Sequence, residues 1–519
     1  MVVKGKIKKG EYFDSVSLMV VGKAINSMKG ILDVAVVMGT RENKSILEST
    51  GLLSPEFADA VDTDLMICIK AEVEKNATEA IQKVDQLLEN IMLKSKETED
   101  FLPKSLETAI KSMPDANLAL ISVAGKYASF EAMKALKKGL NVMIFSDNVP
   151  IEKEIALKKY ANKNGLLVMG PDCGTAIING VPLGFANVVN TGNIGIVAAS
   201  GTGLQEVSSI ISNEGAGISQ AIGTGSRDVK KEVGGIMFIQ GLKALNKDKN
   251  TKIIVVISKP PHVEVLKIIG ANIKAIKKPV VAIFLGGNLK IVEESGAIPA
   301  TTLEEAALIA VDLAKGNKKN SYKRIFEKRK NNIKKLAKDE AERKKESQKY
   351  IRGLFCGGTL CYETQLIFKD MMGDIYGNTP LNPEFKLKDS WKSYKNTVVD
   401  LGEDEFTVGR PHPMIDYSQR NRRILEEASD PEVAVIFLDI VLGYGSNMEP
   451  EKELAPVIKK AKKIAENHGR HLSIICSITG TEKDPQNRKN VIKFINDAGA
   501  IVMTSNAAAS ELSGYIIAR

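Results

Sequence analysis

The chain reads as an α/β protein of several domains, each built largely on a parallel sheet, and three observations carry that expectation. Apolar runs long enough for one buried strand alternate with amphipathic helical stretches from end to end. Small-residue turns sit where strands hand over to helices, as in Asn193-Ile-Gly-Ile-Val-Ala-Ala-Ser-Gly-Thr-Gly203 and Val435-Ile-Phe-Leu-Asp-Ile-Val-Leu-Gly-Tyr-Gly-Ser-Asn447. The length, 519 residues, accommodates three or four domains of about 100–200 residues each.

Composition narrows the function classes. With 44% hydrophobic and 26% charged residues, the chain resembles ordinary soluble globular proteins. No apolar run approaches the roughly 20 residues that span a bilayer. The basic start has no apolar stretch behind it, so no signal peptide is expected. Five cysteines (Cys68, Cys173, Cys356, Cys361, Cys476) are scattered without a Cys-x-x-Cys pair. No disulfide framework and no metal site are expected, and a reducing cytoplasm fits best. The net charge of +9 comes from one segment: Lys315–Lys349 holds 15 basic and 5 acidic residues, leaving 57 basic against 58 acidic elsewhere. Without interleaved aromatics this argues against a nucleic-acid partner.

The elements follow in order. Residues 1–105 form a first α/β unit with a mixed sheet: strand Tyr12–Met19, helix Val20–Met28, strand Ile31–Met38, helix Asn43–Ser49, strand Leu65–Ile69 and the amphipathic run Ala77–Leu93. Residues 106–190 form a Rossmann-like unit with strands at Ala119–Val123 and Asn141–Ser146, helices at Ser129–Lys138 and Glu152–Asn164, and a strand from Leu166 ending in a polar turn at Thr175. Residues 191–315 read as flavodoxin-like, with strands near Gly195, Ile218, Ile253 and Val280. The basic segment 316–350 lacks proline and is rich in helix formers, so it reads as a solvated helix or tether. Residues 351–519 repeat the flavodoxin-like alternation, with strands near Leu354, Val435, Leu472 and Ala500.

Several turns could carry chemistry. Ser200-Gly201-Thr202-Gly203 opens a helix; backbone amides at such a tip suit a phosphate or carboxylate, although Ser200 also fits a plain N-cap. Gly443, Gly445, Ser446 and Asn447 form the matching turn near the C-terminus. Gly223, Gly225 and Ser226 follow the next strand, and Arg227 beside them suits either a bidentate anion contact or a surface ion pair with Asp228 or Glu232. Gly358 and Thr359 in Cys356-Gly-Gly-Thr-Leu-Cys361 open another helix, with the cysteines read as buried small hydrophobes. Thr479, Gly480 and Thr481 end a strand at the expected ligand edge. The polar stretch Asp400–Asp416 holds Arg410, His412 and Asp416; His412, fixed between two prolines, is the best acid/base candidate, with an exposed loop histidine as the equal alternative.

These residues carry a resemblance. Met169-Gly-Pro-Asp-Cys173, Gly192-Asn-Ile-Gly-Ile-Val197, Ser200-Gly-Thr202 and Ile222-Gly-Thr-Gly225 resemble the α subunit of succinyl-CoA synthetase. The layout of 351–519 is similar to the C-terminal domain of that enzyme's β subunit. Over nearly its whole length the chain resembles the FdrA family, labelled acyl-CoA synthetase, most distinctively at Asp400–Asp416, Phe437–Asn447 and Thr479–Gln486. Three departures matter. Glu294, in Glu293-Glu-Ser-Gly-Ala-Ile298, stands where the synthetases carry a phosphorylated histidine. The glycine-rich loop that holds CoA has no clear match, so CoA is possible but no cofactor is assigned. No nucleotide-grasping domain is evident either.

The resemblance implies a superfamily scaffold that retains an anion pocket and has lost its histidine relay. It implies carbamoyl transfer between oxamate or oxalurate and carbamoyl phosphate in purine-ureide (allantoin) catabolism, with partner subunits, and phosphate between the Ser200 and Gly443 tips. An acid–thiol ligase using CoA is the alternative, and a non-catalytic scaffold or metabolite-sensing subunit is a third.

Overall fold

The computed structural model describes residues 1–13, 15–49, 51–97, 103, 105–316, 322–407 and 410–518. They fall into two compact units: Met1–Ala116 with Gly402–Asp416, and Asn117–Leu401 with Tyr417–Arg519.

The first unit is a three-stranded sheet of β1 (Val2–Lys8), β2 (Ile31–Met38) and β3 (Leu65–Ala71), ordered β1-β3-β2, with both pairings antiparallel. β3 is central because its sequence serves two faces at period two. Leu65, Ile67, Ile69 and Ala71 meet Leu18, Val21 and Ile25 of the helix Ser15–Asn26 and Ala77, Ile81, Val84 and Leu88 of the helix Glu74–Glu97. Met66 and Cys68 meet Leu47, Leu52 and Phe57 on the other face.

The sequence reading placed a strand at Tyr12–Met19 and a mixed sheet here; the structure has a helix from Ser15 and a purely antiparallel sheet. The apolar spacing Leu18, Val21, Ile25 is helical. The true first strand, Val-Val-Lys-Gly-Lys-Ile-Lys, carries the lysines typical of a sheet edge and so reads as polar.

The second unit contains three sheets. β4 (Leu118–Ile121), β5 (Asn141–Ile144) and β6 (Val168–Met169) form a small parallel one. The next comprises β7 (Thr175–Ile178), β8 (Val181–Gly184), β9 (Thr191–Ala198), β10 (Ile218–Gly223), β11 (Ile253–Ser258), β12 (Val280–Phe284) and β13 (Ile298–Pro299), ordered β13-β12-β11-β9-β10-β7-β8. Its strands β9–β13 are parallel, and the β7–β8 hairpin adds an antiparallel edge through Ala221 opposite Ile177. The hairpin therefore belongs to the same sheet as residues beyond 191, whereas the sequence reading drew a domain boundary at 190.

The last sheet comprises β14 (Tyr350–Phe355), β15 (Tyr376–Gly377), β16 (Thr397–Asp400), β17 (Val433–Val441), β18 (Ser473–Thr479) and β19 (Ile501–Met503). All its pairings are parallel, in the order β15-β16-β14-β17-β18-β19. β17 is buried at all nine positions, as a central strand covered on both faces must be. The α/β, mainly parallel fold class is therefore present in the second unit.

The basic segment is a docked helix rather than a tether. In Tyr322–Ala341, Ile333, Ala337 and Glu340 are buried, and Arg329 pairs with Glu511 at 2.9 Å and with Glu304. Glu340 accepts from Ser473 Oγ and pairs with His471 Nε2, each at 2.7 Å. Despite burial, those two hydrogen bonds hold its carboxyl down at about 2.

Strand order decides where a ligand can sit. In the β9 sheet the chain steps from β9 to β10 on one side and then to β11 on the other. In the β14 sheet, β16 and β17 flank β14 in the same way. Open α/β sheets hold ligands in the crevice outside the carboxyl ends of the strands at such reversals. Those crevices open at Ser200 and Lys259 in one sheet, and at Gly357 and Gly443 in the other.

Candidate functional site

The two crevices contribute helix tips that meet within the second unit. Ser200 caps the helix Gly201–Asn213 from an extended backbone, its Oγ accepting the Gly203 N–H at 3.0 Å. The same hydroxyl lies 2.6 Å from Oγ1 of Thr359, in the first turn of the helix Gly358–Met372. Gly357 lets the two tips approach closely: a Cβ there would lie 3.0 Å from Thr202 Cγ2 and 3.1 Å from Asp439 Oδ2.

Two positive helix ends brought together repel unless negative charge lies between or beneath them. Part of that charge is built in. The fully buried Asp439, in β17, accepts the Cys356 and Gly357 N–H groups at 2.7 and 2.8 Å. The guanidinium of Arg420, also fully buried, donates to the Asp439 carbonyl at 2.6 Å and lies 3.3 Å from its carboxylate. Burial pushes the Asp439 carboxyl up against the downward pull of Arg420 and the two amides. Asp400, at the end of β16, lies against Gly358, where a Cβ would meet Oδ2 at 2.5 Å.

Among the described residues, the Gly201, Thr202, Gly358 and Thr359 N–H groups have no protein partner, as expected of first-turn amides. Ser200, Gly201 and Gly358 are partly exposed. The two tips thus bring four first-turn amides and two hydroxyls close together, with Thr202 and Thr359 themselves buried.

The cysteines beside this place are not reactive. Burial pushes the Cys356 and Cys361 thiols well above their ordinary value. Further along the same helices, Glu206 and Glu363 are linked through Asn506, whose backbone N–H and Nδ2 donate to them at 3.0 and 2.8 Å. Burial raises the Glu363 carboxyl to about 7.

The remaining sequence-predicted residues have other work. Gly223 and Gly225 allow close backbone approach, since a Cβ would fall 2.4 Å from Thr175 O and 2.2 Å from Pro171 O respectively. Ser226 is exposed. Arg227 pairs at 2.8 Å with the buried Glu154, not with Asp228 or Glu232. Asp228 instead accepts from the buried Lys158 at 2.9 Å, which also binds Glu154 at 2.7 Å.

The Gly443 turn is not a helix tip, because the following helix starts only at Pro450. Gly443 and Gly445 instead admit the segment Phe185–Ala186, where Cβ atoms would fall 2.6 Å from Ala186 O and 2.8 Å from Phe185 Cδ1. Ser446 is buried, and Asn447 donates to Glu453 at 2.8 Å and accepts from Glu449 N. Thr359 therefore stands opposite Ser200, where the sequence reading placed Gly443.

Thr479, Gly480 and Thr481 join the two large sheets. Thr479 donates to Glu206, the Gly480 carbonyl accepts from Asn213 at 2.9 Å, and Thr481 Oγ1 donates to Val188 O at 2.6 Å.

Arg410, His412 and Asp416 group with the first unit. Arg410 pairs with Asp33 at 2.8 Å, and His412 Nδ1 accepts the Met414 N–H at 3.2 Å. The Asp416 N–H donates to the His412 carbonyl at 3.1 Å. Burial pushes His412 down to about 4, which makes it a weak base at neutral pH. Val408 and Gly409 of this stretch lie outside the described residues.

Sequence reasoning missed Asp439, Arg420 and Lys259, and marked Asp400 only as part of the polar stretch Asp400–Asp416. Asp439 could have been flagged as a carboxylate within a buried strand, and Asp400 as one that ends such a strand. Lys259 could have been flagged as a cation at the carboxyl end of a strand, before Pro260-Pro261.

Comparison with known proteins fits this architecture. Residues 354–516 match the CoA-ligase family, residues 189–286 the CoA binding domain, and residues 1–101 the AllF, heavy metal-associated domain. The matches thus place a CoA-ligase domain and a CoA binding domain after an N-terminal AllF, heavy metal-associated domain. The chain belongs to the same family as the uncharacterized protein YahF of Escherichia coli (strain K12), being 44% identical to it over 519 residues, 100% of this chain and 99% of YahF. A succinate–CoA ligase [ADP-forming] α subunit from Staphylococcus epidermidis is 28% identical over 186 residues, 34% of this chain and 58% of that one. Among solved structures, a dinucleotide-forming acetyl-coenzyme A synthetase 1 from Ca. Korarchaeum cryptofilum covers 78% of this chain and 82% of its own, at 16% identity and a TM-score of 0.33.

The donors of the first unit do not fit a heavy metal, which soft thiolate ligands would select. Its single cysteine, Cys68, is buried in β3 and donates to Leu52 O at 2.7 Å, and burial pushes it up to about 12. Among the described residues no cluster of three or more His, Cys, Asp or Glu could hold a metal ion, and no helix is long and apolar enough to cross a membrane.

Proposed function

We propose that the chain is the phosphate-handling subunit of a transferase that uses an already activated acyl or carbamoyl phosphate, of the oxamate carbamoyltransferase type. The observation that carries the reading is the meeting of the Ser200 and Gly358 helix tips through the Ser200 and Thr359 hydroxyls, beside four first-turn amides that no protein group takes. The AllF name of the family matched by the N-terminal residues supports a place in allantoin-related metabolism.

In this reading the amide nitrogen of oxamate attacks the carbonyl carbon of carbamoyl phosphate. The bond between that carbon and the bridging phosphate oxygen breaks, the amide N–H proton passes to solvent, and phosphate leaves as an anion stabilised by the tip amides. No phosphohistidine is required. Glu294, at the end of the helix Leu289–Glu294, is an exposed carboxylate that cannot serve as one.

The second reading, a CoA-dependent acid–thiol ligase with partner-supplied nucleotide chemistry, rests on the CoA-ligase and CoA-binding matches. One assay separates them: the chain, with the products of neighbouring genes, is incubated with carbamoyl phosphate and oxamate. Phosphate release in step with oxalurate formation is expected. CoA-dependent ATP cleavage without carbamoyl transfer would refute the proposal.

A further inference from the structure

The paired tips have a basic neighbour that no motif marks. β11 runs beside β9 with Ile257 level with Ala198, so Lys259 emerges at the same edge as Ser200. Its Nζ lies 5.0 Å from the ring centre of Tyr362, in the first turns of the Gly358 helix that carries Thr359. Lys259 thus reaches from one sheet's crevice to the other's helix tip. It is exposed, and among the described residues no carboxylate pairs with it. The acids at the Gly358 tip are otherwise engaged: Asp439 holds two amides beside Arg420, and Asp400 lies against Gly358. The ammonium still acts across the gap, partly opposing the upward push of burial on the Cys361 thiol.

Resting on the function proposed above, we infer that Lys259 is the cation that binds the phosphoryl oxygens of the activated phosphate at the two tips, with Tyr362 holding its ammonium nearby until an anion draws it across. An exposed ammonium over a tyrosine ring is held only weakly, so a phosphate dianion outcompetes the ring. Lysine suits the task as a compact point charge on a flexible stem. The same geometry selects by charge: two positive helix ends plus an unpaired ammonium favour a dianion over a neutral or cationic ligand. Because the side chain is exposed, its removal leaves no buried hole.

The test is calorimetric titration of the full chain with inorganic phosphate and with carbamoyl phosphate, comparing wild type, Lys259→Ala and Lys259→Arg. Loss of one charged hydrogen-bond donor is expected to weaken both ligands about tenfold to a hundredfold in the alanine variant. The arginine variant should keep most of the affinity, and the melting temperature should not move. The salt dependence of binding should also shallow in the alanine variant. Unchanged affinity in Lys259→Ala, with wild type binding both anions, would overturn the role of Lys259 while leaving the function proposed above intact. A wild-type chain that binds neither anion would overturn both.

Discussion

Replacing Asp439 by alanine should destabilise the second unit by about 3–5 kcal/mol, because it removes one partner of a buried charge pair and leaves the other in place. The carboxylate accepts two backbone N–H groups at 2.7 and 2.8 Å and faces the fully buried Arg420, whose Nε and one terminal nitrogen already lack a partner. Each orphaned amide alone costs about 1–3 kcal/mol, but these losses share one cause and do not simply add. Asp439→Asn, which keeps one acceptor oxygen, should cost less. The double variant Asp439→Leu with Arg420→Met should recover most of the loss, since an apolar pair of similar volume removes the uncompensated charge. The single tryptophan, Trp391, is a local probe: its carbonyl accepts from Arg423, on the same helix as Arg420. Urea unfolding followed by Trp391 fluorescence measures the effect. A cost below about 1 kcal/mol for Asp439→Ala, or a double variant no better than that single variant, would refute the argument that this pair fixes the floor of the Gly358 tip.

Other expectations follow from individual contacts. Gly445→Ala should destabilise the same unit by about 1–3 kcal/mol through overpacking against Phe185, with further strain from φ +81, readable as a drop in melting temperature. His412 is depressed to about 4 from an unfolded value of about 6.5. The unfolded chain therefore binds more protons between those values, so its stabilising contribution is present above pH 6.5 and lost toward pH 4, and hydrogen exchange in the first unit should accelerate on acidification. Glu363 acts in the opposite sense. Raised to about 7, it contributes stability fully below the ordinary carboxyl value, and that contribution is lost as pH rises through 7, visible in the pH dependence of the Trp391 transition. Exchanging the charges of Asp33 and Arg410, a partly exposed pair at 2.8 Å, should restore whatever small loss of first-unit stability, at most about 1 kcal/mol, either single reversal causes.

Much of the second unit was legible because its central strands are continuous apolar runs with abrupt small-residue ends: Ile253–Ser258 and Val433–Val441 are buried throughout. The edges were harder. Val2–Lys8 alternates lysine with apolar residues because one side faces solvent, and so escaped notice. The helix Tyr322–Ala341 looked solvated because only a few of its residues make the docking face. Ser200 and Thr359 could each be marked as helix-tip residues, but their meeting depends on how two sheets pack. That packing is held by Asn187, Thr481 and Asp484, polar residues whose partners lie nearly 300 positions away. The Gly443 turn carried the same local signal as the Ser200 turn. Its glycines answer to the close approach of Phe185 and Ala186, which no local pattern reveals.

The central claim is that two helix tips hold one anion, and a double-mutant cycle on Ser200→Ala and Thr359→Ala measures it most directly, with carbamoyl phosphate affinity as the readout. If both hydroxyls serve one ligand, each single variant weakens binding and the double shows a coupling of about 0.5–3 kcal/mol. Strictly additive losses, or affinity unchanged in all three variants, would contradict it.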